Sequence, residues 1–123
     1  MPRVVHFEIA ADDPDAIGRF YRTVFGWGVE TWKGPVDYWL ITTGNEDEPG
    51  INGAIVRRED AVARNCICPT IDVPSIERYI ESVAQNGGKV VRPVTAVPGV
   101  GFLAYCADPE GTVFGIMERD PSA

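Results

Sequence analysis

From Val4 to Ile9 apolar and polar positions alternate, with Val5, Phe7 and Ile9 on one side and Val4, His6 and Glu8 on the other. This two-residue period predicts a strand with one core face and one face carrying polar groups. Beyond Pro14 the period changes. Ile17, Phe20, Tyr21 and Val24 follow the i, i+3, i+4, i+7 spacing of an amphipathic helix. Asp13 is placed to cap that helix, Pro14 suits its first position, and Asp15 complements the positive end of its dipole. Gly26 supplies a residue that adopts a left-handed cap at little cost. Three further strands are expected at Val29–Trp32, Tyr38–Thr43 and Ile51–Arg57, separated by Gly34-Pro35 and by an acidic loop ending in Pro49-Gly50.

The same plan then repeats. A short extended run, Cys66–Ile71, meets Pro74, and Ile76, Tyr79, Ile80 and Val83 recur at helical spacing before Gly87-Gly88. Strands are expected at Lys89–Arg92, Gly101–Ala107 and Thr112–Glu118, the last two joined by a tight turn at Asp108-Pro109-Glu110-Gly111. The chain reads as an internal duplication of a βαβββ module, with modules at about residues 1–58 and 64–120. A chain of 123 residues holds one ordinary core, so residues 1–123 are expected to form a single domain. Repeated units of this kind bury their apolar faces by pairing. Any site is therefore expected where the halves meet.

Composition narrows the function classes. Apolar content of 45% and charged content of 24% are globular values. No apolar run reaches the length of a membrane span. Met1-Pro2-Arg3 leads into the first strand without the apolar stretch of a secretion signal, so a cytoplasmic location is expected. A net charge of −7 without a Lys/Arg cluster opposes nucleic-acid binding. Three cysteines, two of them at positions 66 and 68 of one strand, do not make a secretory disulfide framework and are expected to be reduced. Glu46-Asp47-Glu48 reads as a solvated hairpin loop, not a cation site.

His6-Phe7-Glu8-Ile9, the helix end Phe20-Tyr21-Arg22-Thr23-Val24-Phe25-Gly26-Trp27, and Asp108-Pro109-Glu110-Gly111 before the last strand carry a family likeness. The chain resembles the glyoxalase/bleomycin-resistance/dioxygenase (vicinal oxygen chelate) superfamily from Val4 to Glu118. Tyr38–Gly44, Asn52-Gly53 and Val97-Pro98-Gly99-Val100-Gly101 are similar to a subgroup described as related to lactoylglutathione lyase. The resemblance implies an α+β fold: two paired βαβββ modules forming a curved, cup-shaped mixed sheet with helices outside. It also implies a homodimer. In metal-dependent members a divalent ion is held by His, Glu, His or Gln, and Glu on the first and last strands of the modules. His6 matches the first of these positions. The equivalent position on the opening strand of the second module falls at or near Cys66, and the two carboxylate positions align with Gly53 and Gly115, which have no side chain to offer. Strand alternation puts Glu118 on the face opposite Gly115, so it does not replace the missing carboxylate.

His6 is the only histidine, which excludes His-pair metal sites and imidazole relays within one chain. It is the candidate base, with Glu8 two residues on and on the same strand face. Trp39, Cys66, Cys68 and Tyr105 are the candidate pocket residues. Cys66 and Cys68 share a face, and with His6 and Glu8 they could hold Zn²⁺, which accepts thiolate and imidazole. A metal-free site with the cysteines as small buried hydrophobes stands beside that reading. Two functions follow. One is a small-molecule enzyme related to lactoylglutathione lyase with a degenerate or non-standard metal site. The other is a metal-independent protein that sequesters a small molecule.

Overall fold

A computed structural model describes residues 2–123, with the side chain of Lys33 outside the description. The fold is α+β, and its contacts gather into two units, residues 6–67 and residues 68–123 with the first few residues of the chain. Both are βαβββ in plan. The first contains strand β1 (Arg3–Ala11), helix α1 (Pro14–Phe25), β2 (Gly28–Lys33), β3 (Asp37–Thr42) and β4 (Asn52–Arg57). The second contains β5 (Ile67–Asp72), α2 (Ile76–Gln85), β6 (Lys89–Val97), β7 (Gly101–Ala107) and β8 (Val113–Arg119). In the first the strand order is β2-β3-β4-β1; in the second it is β6-β7-β8-β5. Neighbours are antiparallel except for β1 with β4 and β5 with β8, which run parallel. The opening strand of each module thus pairs with its closing strand.

Each helix packs on one face of its own sheet. In the first module Ile9, Trp39, Ile41 and Ile55 are buried with Phe7, Ile17, Tyr21 and Val29 against them. In the second, Val73, Ile76, Ala104, Cys106 and Ile116 are buried under Tyr79, Ile80 and Val83. The alternation expected along β1 is present: Phe7 and Ile9 face α1, and His6 and Glu8 face away from it.

The helix ends follow their sequence signals. The Asp13 carboxylate accepts the Ala16 N–H at 3.1 Å, and Gly26, at φ 73°, donates its N–H to the Arg22 carbonyl. At α2 the Ser75 hydroxyl accepts from the Arg78 N–H, and the Glu118 carboxylate accepts from the Ile76 N–H at 2.9 Å. Glu118 therefore lies on the helix side of its sheet, as alternation requires. The Asp108–Gly111 turn closes through the Gly111 N–H on the Asp108 carbonyl, with Gly111 at φ 90°. The acidic loop is an exposed turn in which the Glu48 carboxylate accepts from the Asn45 N–H.

One strand exceeds its expectation. β6 continues through Pro93 to Val97 instead of stopping at Arg92. It is the last strand of its sheet order, and its pairing with β7 shifts register between Val90 and Thr95. An edge strand with a bulge accommodates a residue that has no N–H to donate.

Gly53 is required for a reason of space. It pairs with Phe7, and a Cβ built on it would lie 2.5 Å from the Phe7 carbonyl oxygen and 2.8 Å from the Phe7 ring. Gly53→Ala should therefore destabilise the protein by about 1–3 kcal/mol, the usual range for overpacking, measured by urea unfolding with an unchanged m-value.

Candidate active site

The face of the first module that α1 does not cover presents the candidate polar residues of β1. β1 presents His6 and Glu8 there, and the parallel register sets Asn52 opposite His6 and Ala54 opposite Glu8. From β3, Tyr38 pairs with Val56, so it stands on this same face, whereas its neighbour Trp39 stands on the other. Ala54 offers only a methyl between β3 and β1, which leaves the phenol room to reach across β4. The Tyr38 hydroxyl meets His6 Nε2 at 2.9 Å and donates to Glu8 Oε2 at 3.2 Å. Trp32, paired with Tyr38 on β2, packs edge-on against its ring at 5.8 Å between centroids. The His6 and Tyr38 rings are nearly coplanar in tilt, 9° apart, with centroids 6.5 Å apart.

Burial decides the protonation states. Desolvation lowers the His6 pKa below its ordinary 6.5, and the nearby Glu8 charge opposes this less strongly. The imidazole is thus neutral at physiological pH. Desolvation, with the Glu8 charge and hydrogen bond added, raises the Tyr38 pKa. Tyr38 remains a phenol and a donor.

The other candidates fall elsewhere. Trp39 is in the core under α1, where its indole N–H donates to Asp15 at 3.1 Å and the Arg57 guanidinium lies 5.2 Å from its ring. It borders a cleft of about 260 Å³ with Asp15, Arg19, Arg22 and Thr31, on the helix side. Cys66 is exposed and borders a second cleft, about 290 Å³, with Arg58 and Arg64. Cys68 is buried in the second module, its thiol near the Pro69 and Val113 carbonyls. Tyr105 is buried in that module too, beside Gly115 on β8, with the Arg92 guanidinium over its ring at 5.7 Å. A Cβ on Gly115 would lie 3.2 Å from the Thr70 hydroxyl and 3.5 Å from the Tyr105 ring, so Gly115 shares the helix-free face of its sheet with both. Gly53 does not stand on the equivalent face. It lies under Phe7, and the helix-free neighbours on β4 are Asn52 and Ala54.

The donor set does not fit the divalent-metal ligand set that the resemblance implies. Among the described residues no three side chains of His, Cys, Asp or Glu converge as a metal site. Asn52 is committed to the β3–β4 connection, its Oδ1 accepting the Thr43 N–H at 2.9 Å. Cys106, the third thiol, is a core residue whose pKa burial raises, which keeps it in the unreactive form.

Comparison with known proteins agrees with the architecture. Residues 6–117 match the glyoxalase-like domain family. The chain belongs to that family. Among curated proteins it is 24% identical over 125 residues to the provisionally named glyoxylase CFP32 of Mycobacterium tuberculosis and of Mycobacterium bovis. The match takes in 93% of this chain but 43% of those relatives, so the chain spans less than half their length. Among solved structures it superposes on a methylmalonyl-CoA epimerase bound to methylmalonyl-CoA and NH4+ (TM-score 0.71, 17% identity, 100% and 99% of the two chains). A hypothetical protein of Bacillus halodurans, BH1468, gives a TM-score of 0.72 at 19% identity, covering 98% and 96%. The Mycobacterium tuberculosis methylmalonyl-CoA epimerase gives 0.71 at 12%, covering 96% and 88%. These likenesses establish the shared α+β fold of this family.

Tyr38 is a residue of the candidate site that sequence reasoning left unassigned. Its signal was available in part, since placing Trp39 in the core obliges Tyr38 to face the other way. What the sequence lacked was the register that brings β3 and β1 to either side of Ala54.

Because His6 is the sole histidine, its ring protons titrate without overlap in an NMR experiment. Its pKa should be below 6.5, and Glu8→Gln should lower it further by removing the charge that favours the imidazolium. The unfolded chain takes up this proton first as pH falls. The stability contributed by neutral His6 is therefore complete above about 6.5 and declines as pH drops through the folded value. Denaturant midpoints recorded across that window should fall with it.

Proposed function

We propose that this protein is a small-molecule enzyme of the glyoxalase-like family, acting by proton transfer at His6 on a carbonyl-bearing metabolite. The observation that carries the reading is the partly buried, neutral imidazole hydrogen-bonded to Tyr38, which in turn is hydrogen-bonded to Glu8. A base with a pKa below neutrality is available for proton abstraction at physiological pH. The sequence likeness to a lactoylglutathione lyase subgroup and the fold likeness to methylmalonyl-CoA epimerases both support a C–H acid next to a carbonyl as substrate class. In that step the proton passes from carbon to the imidazole, the electron pair remains as an enolate, and the proton returns to the same or the opposite face.

The second reading is metal-independent binding of a small molecule without turnover. The missing metal-donor set favours it, because an enolate then has no cation to stabilise it. We also propose a homodimer. No helix of the described residues is long and apolar enough to cross a membrane, which is compatible with the proposed cytoplasmic location.

The test is proton exchange, which registers abstraction whatever the product. In D₂O the wild type should introduce deuterium next to the carbonyl of methylmalonyl-CoA or of lactoylglutathione, as read by mass spectrometry. His6→Ala should reduce the rate by about a hundredfold or more, with ligand affinity by calorimetry largely retained. Saturable binding with no exchange in the wild type would establish the binding reading instead.

A further inference from the structure

The hydroxyl of Tyr38 stands between His6 and Glu8. His6 Nε2 and Glu8 Oε2 are an imidazole nitrogen and a carboxylate oxygen on one strand face, and a single atom, Tyr38 Oη, is within hydrogen-bond distance of both. We infer that the Tyr38 phenol, and not a cation, bridges His6 and Glu8 and fixes His6 as its Nε2–H tautomer, leaving Nδ1 as the working base. This deepens the proton-transfer reading and rests on it only for the role given to Nδ1.

The tautomer follows from counting protons. Tyr38 has one O–H, and a carboxylate accepts only. With that proton on Glu8, the contact of 2.9 Å to His6 is a bond only if Nε2 carries hydrogen and the phenol oxygen accepts it. The reverse assignment, Tyr38 donating to His6, would leave two oxygen lone pairs facing each other at 3.2 Å in a partly buried place. A neutral imidazole holding its proton on Nε2 has its lone pair on Nδ1. Tyr38 is accordingly a positioning residue: it acts through His6 and is not itself the base.

Spacing supports the phenol bridge. Zinc requires its nitrogen and oxygen ligands at about 2.0–2.2 Å. The phenol holds the two groups at hydrogen-bond lengths of 2.9 and 3.2 Å. A cation at those ligand lengths could not share the space with the phenol oxygen. Tyr38 resists displacement, since its ring is held against Trp32 on β2 and its own strand is paired on both sides. No second carboxylate waits nearby on β4, where Asn52 and Ala54 occupy the adjoining positions.

The experiment needs no substrate, so its outcome is independent of whether turnover is ever found. Protein labelled with ¹⁵N-histidine gives one pair of ring nitrogens. At a pH above the His6 pKa the wild type should show a pyridine-like Nδ1 and a protonated Nε2, and adding ZnCl₂ or MnCl₂ should produce no saturable change at either. Tyr38→Phe, which keeps the ring against Trp32, should reduce the tautomer ratio by about fivefold, the equivalent of one ordinary hydrogen bond. Its fold is checked by circular dichroism. A wild type with its proton on Nδ1, or a stoichiometric zinc or manganese effect on His6 that His6→Gln abolishes, would overturn the inference without recourse to any variant of Tyr38. An unchanged tautomer ratio in folded Tyr38→Phe would overturn the positioning role.

Discussion

The parallel pairing of β1 with β4 is the constraint on which the candidate site depends. It sets Phe7 beside Gly53 and Ile9 beside Ile55, and this commits one side of β1 to the core under α1. Strand geometry then leaves His6 and Glu8 no alternative to the opposite face. A slip of one residue would bury both polar groups beneath the helix and expose Phe7 and Ile9. The close approach of Phe7 to Gly53 opposes such a slip, because no other pair in that register combines a bulky ring with an absent side chain. Packing on the helix side thus decides which residues the other face presents.

Electrostatics at the site follow from its degree of enclosure. His6 is partly buried near one carboxylate, and desolvation outweighs attraction, which keeps the imidazole neutral. The same enclosure holds Tyr38 in its protonated form. Glu8 supplies the acceptor that gives the phenol proton a definite direction. Together they form a short ordered chain from carboxylate to phenol to imidazole. An open surface would not order it, since water would compete for each of the three groups.

The sequence made most of the fold legible, because its elements are governed by local signals. The α1 cap at Asp13, the stop at Gly26, the turn at Asp108–Gly111 and the inward stripe of α2 are all decided within a few residues, whereas in the stripe of α1 Ile17 and Tyr21 pack on the core and Phe20 and Val24 are exposed. Alternation also assigned Glu118 to the helix side, where it caps α2. The continuation of β6 past Arg92 was not read, since a proline is tolerated in an edge strand at a bulge, where its missing N–H is not needed. The site was less legible. His6 and Glu8 could be paired by strand parity alone, but Tyr38 reaches them from two strands away, across a position occupied by Ala54. Trp39, an aromatic on the same strand, was an equally good pocket candidate until its partners were known. Parity can divide a strand into two faces, but naming the buried one requires knowing what packs against it.

The capping of α2 by Glu118 has a consequence for the order in which the chain folds as it is made. The carboxylate that satisfies the Ile76 N–H arrives 42 residues after the helix begins. Each opening strand likewise waits for its module's final strand before it gains that parallel neighbour. Neither module can complete its sheet while its last segment is still inside the ribosome. The first module reaches this condition once Arg57 has emerged, and the second only once Arg119 has followed. A growing chain of this protein therefore passes through a long interval with one closed module and one open one, during which α2 is exposed without its carboxylate cap and must depend on Ser75 alone.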